Sequence, residues 1–79
     1  MKDEKKNSKL KALVLAGGYD QIALIKELKK RDYEVLLADY FENPPAKKEA
    51  DSFAQISTLD EDRIYEFAKK ERVNLVITA

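Results

Sequence analysis

Apolar runs that alternate with an amphipathic helical pattern constrain this chain more than any other feature of its sequence. Residues 10–16 (Leu-Lys-Ala-Leu-Val-Leu-Ala) and 34–39 (Glu-Val-Leu-Leu-Ala-Asp) are short and nearly continuous apolar runs, which are typical of strands covered on both faces. Between them, Ile22, Ile25 and Leu28 recur at helical spacing. Because the helix connects one strand directly to the next, the two strands should be parallel with a right-handed crossover.

The segment after the second strand predicts an irregular connection. Pro44-Pro45 cannot continue a strand ladder and favours an extended loop. One helical turn is expected over residues 46–50. Residues 52–56 then predict a third strand, shorter and less apolar than the first two. We expect this strand to lie beside the second one.

A second helix and a fourth strand complete the pattern. Thr58 and Glu61 have the spacing of a capping box, in which Thr58 accepts a hydrogen bond from the amide of Glu61. The apolar stripe of this helix consists of Ile64, Phe67 and Ala68. Residues 75–77 (Leu-Val-Ile) predict the last strand.

These elements predict an α/β fold, with a three-layer, Rossmann-like parallel sheet and the two main helices on opposite faces. If the second helix returns the chain beside strand one, the strand order is 3-2-1-4. A ligand crevice then opens between strands one and four, above Gly17, Gly18, Thr78 and Ala79. The fourth strand is an apolar edge with unpaired backbone groups. We therefore expect self-association through residues 75–78, or a domain that has been cut from a larger protein.

Composition limits the possible functions. The 79 residues allow one domain, with residues 1–9 as a disordered, charged tail and residues 10–79 as the domain. Fifteen basic and fifteen acidic residues give no net charge, which disfavours nucleic acid and anionic membranes as partners. The absence of cysteine and histidine excludes thiol nucleophiles, Cys/His zinc sites and imidazole bases. Since no run approaches the roughly 20 apolar residues of a membrane span, we expect a cytoplasmic location.

The turn at Gly17-Gly18 is the first candidate for ligand contact. A dinucleotide-binding turn needs G-x-G-x-x-G, but Tyr19 and Ile22 occupy the two later glycine positions. The pair is therefore either a tight strand-to-helix turn or a turn that contacts a ligand without this fingerprint. Asp20 is either a plain helix cap or a charge that opposes a phosphate at this helix end.

Asp39 and three aromatic residues complete the set of candidates. Asp39 ends strand two about 20 residues after the turn, where a ribose-binding acid belongs, and the alternative is a solvated strand terminus. Tyr19, Tyr40 and Phe41 follow strands on the same side and are either packing lids or ligand contacts. No two carboxylates are spaced as an acid and base pair, so we assign no catalytic residue and no metal ligand.

Several segments resemble one enzyme family. They are Ala-Leu-Val-Leu-Ala-Gly-Gly-Tyr-Asp-Gln (12–21), Tyr-Glu-Val-Leu-Leu-Ala-Asp-Tyr (33–40), Asn-Pro-Pro-Ala (43–46), Ala-Asp (50–51) and Val-Asn-Leu-Val-Ile-Thr (73–78). Together they resemble the N-terminal, pre-ATP-grasp domain of ATP-grasp ligases, with the greatest likeness to carbamoyl phosphate synthase large subunit-like and biotin carboxylase-like members. The resemblance spans about residues 10–79, and it departs at Asp32, where many members have glycine.

The resemblance implies a multidomain enzyme that uses ATP and magnesium to activate a carboxylate or bicarbonate as an acyl phosphate, which an amine then attacks. ATP and the metal bind later domains of such enzymes, so this chain is expected to hold no cofactor and to be inactive alone. Its expected partners are the remaining ATP-grasp domains and a small-molecule substrate. The alternative is a stand-alone Rossmann-like nucleotide-binding or interaction module that uses Asp39 for a ribose.

The substrate-binding residues implied by the motif match are seven, and the position of the crevice adds an eighth. They are Gly17, Gly18, Tyr19, Asp20, Gln21, Asp39 and Tyr40, together with Thr78.

Overall fold

The structure, a computed structural model, describes residues 10–78. Its elements are β1 (Leu10–Leu15), α1 (Asp20–Lys30), β2 (Tyr33–Asp39), a 3-10 turn (Lys47–Glu49), β3 (Ser52–Gln55), α2 (Glu61–Glu71) and β4 (Leu75–Thr78). The kinds and order of these elements match the sequence-based predictions. The predicted tail over residues 1–9 and Ala79 lie outside the described residues.

The four strands form one parallel sheet in the order β3-β2-β1-β4. The predicted α/β fold and its 3-2-1-4 order are confirmed. In the register of the sheet, Leu15 at the end of β1 lies beside Ala38 of β2 and Thr78 of β4. The carboxyl ends of the strands therefore meet along one edge, where the connecting loops can build a site.

The two helices cover opposite faces of the sheet, as predicted. Alternate residues of β1 and β2 point to opposite faces. On the α1 face the buried cluster contains Ala12, Val14, Ile25, Leu28, Val35, Leu37 and Ala46. On the α2 face it contains Leu13, Leu36 and Ala38, with Ile64 and Phe67 of α2 packed against them. Most of the buried apolar residues lie on the two central strands, β1 and β2. Full burial of a leucine or valine side chain contributes about 1.5–3 kcal/mol, so these two strands supply most of the stabilisation from the core.

The α2 side of the fold is less well covered than the α1 side. No residue of α2 is fully buried, whereas Ile25 of α1 is completely buried. On β4, Leu75 and Val76 keep 36% and 46% of their surface exposed. Leu75 and Val76 are consequently two of the exposed large apolar residues of the sheet, together with Leu10 of β1 (45%). Neither helix of the described region is long and apolar enough to cross a membrane.

The first helix begins differently from the expected start. Tyr19 stands in the N-cap position with helical angles (φ −59°, ψ −33°) and makes no side-chain cap hydrogen bond. Asp20 is the first helical residue, so the assignment of Asp20 as the cap is wrong. The reason is that the turn is already helical at Tyr19, where the Gln21 amide donates to the Gly18 carbonyl at 3.0 Å.

The second helix begins two residues after the predicted position. Asp60 is its N-cap and accepts from the Arg63 amide at 3.2 Å, so the capping box of Thr58 and Glu61 is wrong. A turn at Ser57 delays the helix, because the Asp60 amide donates to the Ser57 carbonyl at 3.0 Å. The turn before α2 therefore determines which side chain caps the helix.

The amino ends of both outer strands are held by the same pair of hydrogen bonds to a central strand. Asn74 donates its amide to the Lys11 carbonyl (2.8 Å) and accepts the Lys11 amide on its side-chain oxygen (2.9 Å). Asp51 makes the equivalent pair with Val35, with both distances 2.8 Å. Each residue satisfies both backbone groups of one residue on a central strand, which fixes the register of β4 and of β3.

Candidate functional site at the carboxyl edge of the sheet

Gly17 lies at the centre of the carboxyl edge, where the backbone of the turn packs closely against β2 and the following loop. A Cβ atom on Gly17 would lie 2.7 Å from Cδ2 of Leu37 and 3.2 Å from Cβ of Pro44. The Ala46 amide also donates to the Gly17 carbonyl at 2.8 Å. A side chain at position 17 would therefore force Leu37 and Pro44 to shift.

The left-handed residue of this turn is a different one. Ala16 has φ 78°, whereas neither glycine has a positive φ. Gly18 has more room than Gly17, since a Cβ there would lie 3.5 Å from the side-chain oxygen of Gln21, an ordinary contact. The two glycines consequently have different surroundings, and Gly17 is the more closely packed of the two.

Asp39 joins the glycine turn to the loop after β2. Its Oδ2 accepts from the Gly17 amide at 2.7 Å, and its Oδ1 accepts from the Phe41 amide at 2.9 Å. The residue is only 9% exposed, so the alternative of a solvated strand terminus is wrong. Hydrogen bonds from an amide to an ionised carboxylate are stronger than those between neutral groups. Asp39 therefore holds the two loops together, and a contact with a ribose stays a prediction.

Two open clefts flank the loop that follows β2. The strand-side cleft has a volume of about 570 Å³. It is lined by Ala16, Gly18, Asp39, Tyr40, Phe41, Asn43, Pro44, Pro45 and Thr58. The helix-side cleft has a volume of about 740 Å³. It is lined by Tyr19, Ile22, Asn43, Pro44, Pro45, Lys47 and Lys48. Both volumes lie in the range of small-molecule sites, roughly 300–1,000 Å³.

The structure brings only some of the eight predicted site residues together. Gly18, Asp39 and Tyr40 line the strand-side cleft, and Tyr19 lines the helix-side cleft. Gly17 and Gln21 are buried beneath them, whereas Asp20 is exposed on the first turn of α1. Thr78 is exposed at the end of β4 and lines neither cleft.

These two clefts consequently open above β1 and β2, and a crevice between β1 and β4 stays a prediction. The physical reason lies in the loop over residues 40–46, which folds back over the glycine turn. The hydrogen bonds of Asp39 and Ala46 to Gly17 hold it there, so Pro44 and Pro45 become the wall between the two clefts.

The aromatic residues on this edge are exposed, so the alternative that they are packing lids is wrong. Tyr40 and Phe41 are 64% and 68% exposed, and Tyr19 is 79% exposed. The rings of Tyr40 and Phe41 contact each other edge to face, with centroids 5.3 Å apart and planes at 84°. This pair forms an apolar rim on the strand-side cleft.

Sequence reasoning missed the contribution of the proline loop and of the lysines that follow it. Asn43, Pro44 and Pro45 line both clefts, but the proline pair by itself indicated only an extended loop. Lys47 donates to the Glu42 carbonyl at 2.9 Å and to the Asn43 side-chain oxygen at 3.2 Å. Its ammonium also lies 4.6 Å from the Phe53 ring centroid, so it braces the loop as well as adding positive charge.

Residues 10–78 contain no group of three or more histidine, cysteine, aspartate or glutamate side chains placed to hold a metal ion. The carboxylate of Asp39 is already engaged by two amides. The clefts of this region therefore offer backbone groups, an asparagine, aromatic rings and lysines to a ligand.

Comparison with known proteins gives two informative relatives, although no protein-family model matches the chain. The chain is 34% identical over 73 residues to the formate-dependent phosphoribosylglycinamide formyltransferase of Psychromonas ingrahamii, a match that covers 92% of this chain and 18% of that protein. Its fold matches the crystal structure of N5-carboxyaminoimidazole ribonucleotide synthetase from Thermotoga maritima with a TM-score of 0.77 and 23% identity, over 89% of this chain and 19% of that one. Both relatives are ATP-grasp enzymes with an N-terminal pre-ATP-grasp domain.

This chain matches the pre-ATP-grasp domain of ATP-grasp enzymes. The resemblance found in the sequence is confirmed at the level of the family. Carbamoyl phosphate synthase, the member suggested by the sequence, is a more remote relative within that family. The chain spans about a fifth of the length of these two relatives.

Proposed function

We propose that this chain is the substrate-side N-terminal domain of an ATP-grasp carboxylate-amine ligase and that it is not catalytic alone. The supporting observation is the asymmetry of the match, which covers 92% of this chain but 18% of the relative. ATP-grasp ligases use ATP and Mg²⁺. We assign both to other domains of the parent protein, because residues 10–78 offer no cluster of metal ligands.

The names of the two relatives support a narrower proposal for the substrate. One is a formate-dependent phosphoribosylglycinamide formyltransferase, and the other is an N5-carboxyaminoimidazole ribonucleotide synthetase. Each name contains a one-carbon acid or acid group, formate in the first and carboxy in the second. Each also contains a compound that carries a ribosyl phosphate. We propose that the parent protein activates a small acid and transfers it to an amine of such a compound.

The strand-side cleft is our proposed point of contact between this domain and the substrate. Three predicted site residues, Gly18, Asp39 and Tyr40, line it at the carboxyl edge of the sheet, where ligands of open α/β sheets bind. The proposed partners are therefore the other ATP-grasp domains and this substrate, and the proposed location is the cytoplasm. The alternative, a stand-alone nucleotide module, depends on Asp39, whose two oxygens each accept one backbone amide.

The first experiment reads the coding sequence beyond Ala79 and assays the whole protein. We expect the frame to continue into an ATP-grasp module. The full-length protein should form ADP only when formate or bicarbonate and the ribosyl phosphate amine are both present, and residues 1–79 alone should form none. A stop codon directly after Ala79, without such a module, would contradict the proposal. Micromolar binding of NAD, AMP or ATP to residues 1–79 in isothermal titration would favour the stand-alone module.

A matched pair of tyrosine variants tests the cleft in the full-length protein. Tyr40→Ala should raise the KM for the ribosyl phosphate amine several-fold and leave the KM for ATP unchanged, because Tyr40 lines the strand-side cleft. Tyr65→Ala is the control, since Tyr65 has almost the same exposure (63% against 64%) but lies on α2. Equal effects of the two variants would remove the strand-side cleft from the substrate site.

A further inference from the structure

The helix-side cleft lies away from β4, the last strand of the described region. Its lining residues within that region all fall between Tyr19 and Lys48. They surround the start of α1 and the loop after β2, whereas β4 forms the outer edge of the sheet on the far side of β1. With about 740 Å³ it is the larger of the two clefts described above. The open edge of β4 therefore has no part in forming this cleft.

The walls of the helix-side cleft are apolar. Tyr19 is 79% exposed, and Ile22 is half-buried and packs against the core on the α1 face. Pro44 and Pro45 separate this cleft from the strand-side cleft. Aromatic rings gain free energy from contact with other rings beyond the burial of their area. These walls therefore favour a ligand with an aromatic body.

The polar groups of the same cleft are hydrogen-bond donors. The Lys47 ammonium lies 3.2 Å from Oδ1 of Asn43. Because an ammonium can only donate, this contact turns the Asn43 oxygen toward Lys47 and leaves the NH₂ group of the amide as a donor. Lys48 is exposed, and no hydrogen bond or ion pair among residues 10–78 engages its ammonium. Since no acidic residue of this range lines the cleft, its donors complement a negatively charged acceptor.

We propose that the helix-side cleft binds a small aromatic carboxylate. The carboxylate accepts from the NH₂ group of Asn43 and from the ammonium of Lys48, and the ring contacts the apolar walls. This cleft is distinct from the strand-side cleft that we assign to the substrate of the parent protein. The proposal therefore does not depend on the parent being a ligase.

The number of cations favours a carboxylate over a phosphate. The Lys47 ammonium already donates to the Glu42 carbonyl and to Asn43, and it lies 4.6 Å from the Phe53 ring centroid. Lys48 is then the cation that remains for a ligand. One ammonium and one amide match a single negative charge, whereas a phosphate monoester carries about −1.5 to −2 charges.

Titration of the unchanged chain with phenylacetate, followed by proton–nitrogen correlation NMR, tests the proposal. For a ligand of about ten non-hydrogen atoms we expect a dissociation constant of roughly 1 mM. The largest shifts should occur at the side-chain amide of Asn43 and the backbone amide of Lys48. Absence of saturable shifts up to about 10 mM, tenfold above the expected constant, would overturn the proposal.

Three other probes separate the parts of the ligand. Acetate lacks the ring and phenylacetamide lacks the charge, so each should bind roughly tenfold more weakly than phenylacetate. Phenyl phosphate should bind no more tightly than phenylacetate. Equal binding of acetate or phenylacetamide, or clearly tighter binding of phenyl phosphate, would contradict an aromatic carboxylate as the ligand.

A matched pair of lysine variants tests the position of the charge. Lys48→Gln should weaken phenylacetate binding by roughly tenfold, because it removes a charge-assisted hydrogen bond. Lys26→Gln is the control, since Lys26 is also exposed and lies on α1 outside the cleft. Tyr19→Ala should weaken binding as well, and its fold should persist because Tyr19 is mostly exposed. Equal affinities of the two lysine variants would refute this placement of the carboxylate.

The same titration on a longer parent protein, if the coding sequence continues, shows whether the cleft is open there. We expect the same dissociation constant as for residues 1–79. Loss of binding in the longer protein would show that another segment of the parent fills the cleft, and it would overturn the proposal. That result would leave the proposed ligase function intact, so the two proposals can fail separately.

Discussion

Replacement of Asp39 by asparagine tests the central contact of the carboxyl edge. Asp39 uses one oxygen for the Gly17 amide (2.7 Å) and the other for the Phe41 amide (2.9 Å). Asparagine has the same shape but only one acceptor oxygen, and its NH₂ group is a donor. Whichever way the side chain is oriented, one of the two amides faces a donor and loses its acceptor.

The structure allows the cost of this change to be worked out. A hydrogen bond to a charged group contributes about 1.5–3 kcal/mol, and leaving a buried donor unpaired costs about 1–3 kcal/mol. Because Asp39 is 9% exposed, water replaces little of the loss, and we expect the free energy of unfolding to fall by about 2–3 kcal/mol. For a domain of this size the total is on the order of 5 kcal/mol. Asp39→Asn should therefore remove about half of it.

Urea unfolding followed by far-UV circular dichroism measures this effect. With a slope of about 1 kcal/mol/M, the midpoint should fall by about 2–3 M. The control is Asp51→Asn, because Asp51 accepts only the Val35 amide (2.8 Å) and asparagine can keep that bond. Its ion pair with Lys29 spans 3.7 Å between partly exposed groups, and such a pair contributes about 0.5 kcal/mol. Equal midpoint shifts for the two variants would refute the two-acceptor role of Asp39.

Three further stability predictions can be checked by the same urea assay. Gly17→Ala should lower the free energy of unfolding by about 1–3 kcal/mol, because the new Cβ would lie 2.7 Å from Leu37. Gly18→Ala should stay within about 1 kcal/mol of the unchanged chain, and equal costs for the two variants would contradict their different packing. Ala16→Gly should stabilise the chain by up to about 1 kcal/mol, because glycine adopts the left-handed conformation at φ 78° without the steric strain of a Cβ atom. A clear loss of stability would show that the turn does not require this conformation. Asp60→Ala should lower the free energy of unfolding by about 1 kcal/mol, because it removes the N-cap of α2. Thr58→Ala should lower it by less, and the reverse order of the two effects would support the capping box predicted from the sequence.

The carboxyl edge shows how one buried carboxylate can organise a binding surface. Asp39 fixes the Gly17 turn and the Phe41 backbone at the same time, and the proline loop that follows becomes the wall of both clefts. The exposed rings of Tyr40 and Phe41 are attached to this fixed backbone. A ligand in the strand-side cleft would therefore meet a rigid floor and an aromatic rim.

The strands and helices of this chain, and their order in the sheet, follow from local sequence patterns. Apolar runs of strand length alternate with helical stripes, and this alternation leaves few solutions other than a parallel sheet with helices on both faces. Asp32, directly after α1, has the left-handed conformation (φ 71°) that is common at helix ends. These features depend on residues near one another in the chain, so local patterns predict them.

The candidate site, in contrast, depends on contacts that form only in the folded chain. The roles of Asp39 and Gly17 depend on hydrogen bonds and packing between residues about 20 positions apart, and no local pattern reports such contacts. The same holds for the position of the two clefts, because hydrogen bonds of Ala46 and Asp39 to the Gly17 backbone hold the loop after β2 over the glycine turn. Side-chain periodicity specifies which face of an element is buried, whereas the geometry of a loop depends on which distant backbone groups it can reach.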